Sequence, residues 1–184
     1  MAYHHGRLRE SAIEAALEQI EAQGEASLTL RGLARELGVT SAALYRHFAD
    51  REALLDAVAT EGRRQLRETL EESVNWAVNP KNSKDAGHRM ETVVHHQLSF
   101  AERRPRLFHL MISRPASEDR EDTTFLKRAI EDLAAINRKV KNPQPPLIHL
   151  AQSLIDGAAL RYAEGTAADL EEELIGKSLM RILS

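Results

Sequence analysis

No cysteine occurs among the 184 residues, which removes disulfides, thiolate metal sites and cysteine nucleophiles together. Aromatic residues are scarce, at 4%, so Leu, Ile, Val and Ala must build the core. No run of about 18 apolar residues exists, so no membrane span and no membrane partner are expected. The opening residues lack the apolar stretch of a signal peptide, and a cytoplasmic location is expected. A surplus of positive charge is missing too: 25 Lys and Arg stand against 28 Asp and Glu, a net of -3. Nucleic-acid binders usually carry a basic domain, so composition gives such a function no support, and what matters is where the charges point. Also absent are a glycine-rich phosphate loop, His-Glu-x-x-His and Gly-x-Ser-x-Gly. The expectation is a protein that is not an enzyme and needs no cofactor.

What is present is one informative stretch, TLRGLARELGVTSAALYRHF at 29–48. Thr29 is a helix N-cap, with Leu30, Leu33, Ala34 and Leu37 recurring at helical spacing behind it. Gly38 stands where a helix ends in the left-handed conformation. Thr40 then caps a second helix that turns Leu44 and Phe48 inward and Ser41, Ala42, Tyr45 and Arg46 outward. Helix, glycine turn, helix is the pattern whose second helix reads the DNA major groove.

The rest of the chain reads as helix throughout, and the expected fold is all-α. A first helix covers roughly 7–23, with Ile13, Ala16, Leu17 and Ile20 on one face. A long fourth helix, capped by Asp50, runs over 50–78, and the polar stretch Asn79 to Gly87 is the best domain boundary. A fifth helix carries Met90, Val93, Val94 and Leu98 and stops at Pro105. A short sixth carries Leu107, Phe108, Met111 and Ile112, and a seventh carries Phe125 to Ile136. An eighth spans about 147–164 and a ninth runs from about 168 to the end. The architecture expected is a three-helix head over 1–52, a long connecting helix, and a five-helix body over 84–184.

Head and body together resemble the TetR family of bacterial transcriptional regulators. The likeness rests on LRESAIEAALEQIEAQG, TLRGLAREL and GVTSAALYRHF followed by DREALL, which is similar to the family's GVS-x-x-x-LYxHF signature. Tyr3-His4-His5-Gly6 and Ser99 through Met111 resemble one subgroup, that with a WHG-like C-terminal domain. Departures are Gly32, where the family usually has an acidic residue, and Gln152 and Asp156-Gly157 in place of a Trp and His-Gly pattern. The resemblance implies a repressor that binds a palindromic double-stranded DNA operator as a homodimer and is released by a small-molecule effector, through a swing of helix 4.

Phosphates dominate affinity and base edges supply sequence choice. Thr29 and Arg31 open a helix whose N-terminus favours an anion; the resemblance implies a DNA phosphate there. Thr40 caps the reading helix. Tyr45 and His47 are expected to reach flanking phosphates, with Arg51 in place of the family's usual Lys. Ser41, Ala42 and Arg46 are the expected base readers: small residues seat the helix deeply, and Arg can bridge guanine O6 and N7.

A paired molecule would place two such helices about one turn of DNA apart, ~34–36 Å. Leu150, Leu154, Gly157 and Ala158, with Leu174, Ile175, Leu179 and Ile182, form the expected isologous interface. Leu98, Phe108, Met111, Ile112, Phe125 and Ile155, with Asp156 as a polar anchor, are the expected lining of an effector pocket. The competing reading is a metal-responsive or metal-binding helical protein. His88, Glu91 and His95 share one helical face, although a solvated face explains that spacing as well.

Overall fold

The computed structural model describes residues 7–114, 124–136 and 145–165. Its helices are α1 (Leu8–Gln23), α2 (Leu30–Glu36), α3 (Ser41–Tyr45), α4 (Arg51–Ser73), α5 (Ser83–Arg103), α6 (Pro105–Ser113), α7 (Thr124–Ile136) and α8 (Pro145–Ala163), with a short 3-10 turn at Glu25–Ser27. No strand occurs among the described residues, as the all-α reading expected. The expected ninth helix lies outside them, as do Tyr3, His4 and His5.

The chain divides into two compact units, one of 1–62 with 106–115 and the other of 63–105 with 116–184. In the first, α1 ends because Gly24 adopts φ +86°, and its N–H still donates to Ile20 O at 2.7 Å. Thr29 caps α2 by accepting from Gly32 N at 3.0 Å. Gly32 has a physical reason to lack a side chain, since a Cβ there would come within 2.8 Å of the capping hydroxyl. Gly38, at φ +67°, makes the turn into α3, a conformation that costs L residues with a Cβ. Thr40 caps α3 through Ala43 N, and Asp50 caps α4 through Ala53 N at 2.8 Å. Ile13, Leu17, Ile20, Leu33, Leu44, Phe48, Leu54 and Leu55 are all buried. They form a mainly aliphatic core, to which Phe48 adds a ring.

Helix α6 belongs to this same unit, although its position in the chain suggested the body. Its start is capped from outside: the Glu21 carboxylate accepts from Arg106 N and Leu107 N, at 3.4 and 3.1 Å. Arg106 also donates to Glu21 O at 3.2 Å. Along its length Leu107 and Met111 pack where Gly62 leaves room; a Cβ at that glycine would meet Met111 Sδ at 2.8 Å. Beyond its end, Arg114 pairs with Glu52 and with Asp56, the latter at 2.7 Å, and approaches Glu25 at 3.6 Å.

In the second unit α4 stops at Ser73, earlier than the expected 78. The helix's terminal carbonyls explain the stop. Leu70 O accepts from Ser73 Oγ at 3.1 Å and from the Trp76 indole at 3.0 Å, so side chains replace the backbone donors of another turn. Helix α5 begins at Ser83, before the expected Met90, because Asn82 accepts from Lys84 N and Asp85 N. Gly87, read as part of the boundary, lies inside α5 and is buried. Arg89, also buried, pairs with Asp132 on α7 and donates to Val78 O at 2.6 Å and Asn75 O at 3.3 Å. It also lies over the Trp76 ring, which packs against Phe125 at 4.9 Å. One buried cation thus organises the whole 74–79 turn.

Candidate nucleic-acid interface

Helices α2 and α3 are too short to be stable alone, and the first unit's core holds them. Leu30, Leu33, Ala34 and Leu37 bury one side of α2, and Leu44 and Phe48 anchor α3 and the residues after it. The opposite side of that pair is exposed. Thr29, Arg31, Thr40, Ala42, Tyr45, Arg46 and His47 are exposed, and Ser41 is half-buried. Tyr45 is 48% exposed, unusually open for a large ring. Eight of the nine residues proposed for DNA contact thus lie around one helix-turn-helix, with side chains open to a partner.

Arg51 is the ninth, and its side chain is committed inside the protein. Its Nε donates to Leu28 O at 3.0 Å, one Nη to Glu25 O at 2.7 Å, and the other to Glu52 at 3.0 Å. It ties the connection before α2 to the start of α4, so it braces the reading head instead of extending a loose charge.

Charge in this unit is sorted by position. Arg51 and Arg114 are paired with Glu25, Glu52 and Asp56, while the Arg106 guanidinium is held by the Glu21 backbone carbonyl. The Arg114 hydrogen bond is the main cause of the lowered pKa of Glu52, offset in part by burial and reinforced by Arg51. For Arg114, burial works against the charge, but its bonds to Glu52 and Asp56 outweigh it and raise the pKa. By contrast, Arg7, Arg9, Arg31, Arg35 and Arg46 form no ion pair among the described residues. Arg31, Arg35 and Arg46 of the helix-turn-helix therefore keep guanidinium groups that no described carboxylate engages, even though the chain as a whole is acidic. Periodicity alone did not reveal this sorting, because pairing partners lie far apart in sequence.

The expected effector-pocket residues fall in both units: Phe108, Met111 and Ile112 in the first, Leu98, Phe125, Ile155 and Asp156 in the second. Asp156 is the centre of a polar cluster in the α5–α8 packing. It accepts from Gln97 Nε2 at 2.8 Å and Gln152 Nε2 at 2.6 Å, while the buried Gln152 Oε1 has no partner. A separate cavity of about 550 Å³ is lined by Val74, Val78, Pro80, Lys81, Lys84, Arg89 and neighbours. None of the seven expected pocket residues lines it.

Of the expected dimer residues, Leu150 and Leu154 are 52% and 44% exposed, and a Cβ at Gly157 would meet nothing within 4 Å. Ala158 is half-buried. Leu174, Ile175, Leu179 and Ile182 lie outside the described residues. His88 approaches Glu91 at 3.9 Å, but no three His, Asp or Glu side chains among the described residues gather to hold a metal ion. The metal-binding alternative therefore has no geometry there. No helix of the described residues is long and apolar enough to cross a membrane.

Residues 12–58 match the family model described as bacterial regulatory proteins, tetR family. A nucleoid occlusion factor SlmA from Marinobacter nauticus is 31% identical over 135 residues, covering 72% of this chain and 64% of that protein. The chain spans about half the length of the similar factor from Aliivibrio fischeri (50%). Among solved structures, a Rhodococcus sp. RHA1 protein of unknown function superposes with a TM-score of 0.68 at 26% identity, over all of this chain and 96% of the other. A TetR variant from Acinetobacter baumannii in complex with minocycline superposes at 0.62, over 95% and 90% of the two chains. At 24% identity that likeness speaks to the fold. Helix-turn-helix head and matched segment agree: residues 12–58 form a domain of the tetR family of bacterial regulatory proteins.

Proposed function

We propose that the chain is a DNA-binding transcriptional regulator, a repressor that binds a palindromic operator as a homodimer and leaves it when a small molecule binds the body. The observation that carries the reading is the exposed face of the Thr40–His47 segment, flanked by arginines with no ion pair among the described residues while Arg51 and Arg114 of the same unit are paired. Unpaired guanidinium groups beside an open helix supply the phosphate attraction that net charge denies. Ser41, Ala42 and Arg46 read bases; Thr29, Arg31, Tyr45 and His47 hold phosphates; Thr40 and Arg51 fix the geometry. Leu150, Leu154, Gly157 and Ala158 are the described part of the dimer face. Release requires an effector that prefers the DNA-incompetent arrangement; a hundredfold loss of operator affinity needs about 2.7 kcal/mol of such preference.

Selection of bound duplexes from a random pool tests the reading. An inverted repeat is expected, with half-site centres one helical turn apart. On the selected site Arg46→Ala should relax discrimination at one base position by about 1–3 kcal/mol, whereas Tyr45→Phe should weaken selected and unselected duplexes alike. Recovery of no enriched sequence, with no binding at low ionic strength, ends the proposal. A second reading follows from the likeness to nucleoid occlusion factors. In that case DNA binding serves nucleoid occlusion and not the control of a particular gene. Mapping the sites in cells separates the two.

A further inference from the structure

Arg9 stands apart from the other arginines that lack an ion pair. It lies on α1, outside the helix-turn-helix, yet its guanidinium carbon sits 5.6 Å from the centroid of the Phe48 ring. Phe48 follows the reading helix and is only 2% exposed. The His47 ring, exposed and assigned above to a phosphate, lies 6.5 Å from it. The first turn of α1 and the end of the reading helix therefore meet at this ring, and Arg9 is exposed there.

We propose that Arg9 is a further DNA contact, a backbone-phosphate ligand held in position by Phe48; this rests on the DNA-binding reading above. A guanidinium beside a ring is held by attraction to the ring's π system and spends no hydrogen bond on it. Its in-plane N–H donors stay available, and their fork geometry matches a phosphodiester. Arg9 makes no ion pair among the described residues, so no carboxylate must be displaced first. Parking a flexible side chain against the ring in advance removes part of the ordering cost of binding. The N-terminal turn of α1 adds the positive end of a helix dipole. A contact of this kind fixes the position of the reading head without choosing a sequence.

A purely structural role is the rival, in which Arg9 merely covers Phe48. Arg9→Met keeps an unbranched apolar cover over the ring and removes the charge; Arg9→Lys keeps the charge. Each full-length variant is titrated against an operator duplex taken from the selection and against mixed-sequence duplex DNA, across a salt series, with its thermal midpoint recorded. For Arg9→Met the salt-dependence slope is expected to fall by about 1 per protomer. Both duplexes should weaken by the same factor, at an unchanged midpoint, and Arg9→Lys should restore the slope. An unchanged slope, a loss confined to the operator, or a loss that merely follows a lowered midpoint overturns the proposal. If wild-type protein ignores both duplexes, the DNA-binding reading falls with it, and the wild-type curve distinguishes that outcome from failure of Arg9 alone.

Discussion

The two compact units handle polarity in opposite ways. Every buried polar or charged residue described (Arg89, Gln97 and Gln152) lies in the second unit. The first keeps an aliphatic interior and places its charges on the outside, paired on one set of elements and unpaired around the helix-turn-helix. An apolar core with capped helices makes a rigid platform for a surface that works by its outward groups. Buried polar groups in the second unit hold α5, α7 and α8 in one arrangement, and they fail steeply when a partner is removed.

That contrast is broken most directly at Arg89. Arg89→Met leaves Asp132, itself only 13% exposed, without its cation and strips donors from Val78 O and Asn75 O. A loss of about 3–5 kcal/mol in denaturant unfolding is expected. Pairing Arg89→Met with Asp132→Leu should recover much of it, because no charge is then stranded. In the first unit the largest single polar change is smaller. Thr40→Ala removes the cap of α3 and should cost about 1 kcal/mol, read by the same unfolding experiment. The Arg114 clamp sharpens the comparison by its pH dependence. Because the Glu52 pKa is lowered in the folded protein, its contribution is present above the ordinary glutamate range. It is lost as pH falls through the depressed value. Arg114→Met should therefore lower stability at neutral and alkaline pH, with the gap to wild type closing as pH falls, so that the acid limb of the profile is flattened. A variant with the wild-type acid limb would show the clamp to be without effect.

How much was legible in the residues varied by element. The caps Thr29, Thr40 and Asp50 and the turn at Gly38 were readable, since each acts on backbone groups within three residues. Phe48 and Leu44 were readable as inward-facing from helical spacing alone. The end of α4 was not, because the signal is a Trp76 indole reaching Leu70 O across six residues in a stretch that also contains Val74 and Val78. Gly87 looked like punctuation but occupies a buried helix position. The hydrogen bonds of the Arg51 side chain were not readable, because their acceptors lie 23 and 26 residues earlier in the chain.

By itself the sequence determined the helical class, the capped helix-turn-helix and the faces of its short helices, because these follow from interactions between near neighbours. Tertiary structure alone decided that α6 joins the head, through Glu21 and Arg114. It alone also decided which arginines are neutralised and which remain available. The contacts that join separate elements link groups 23 to 86 positions apart, and over that distance an ion pair has no period to read.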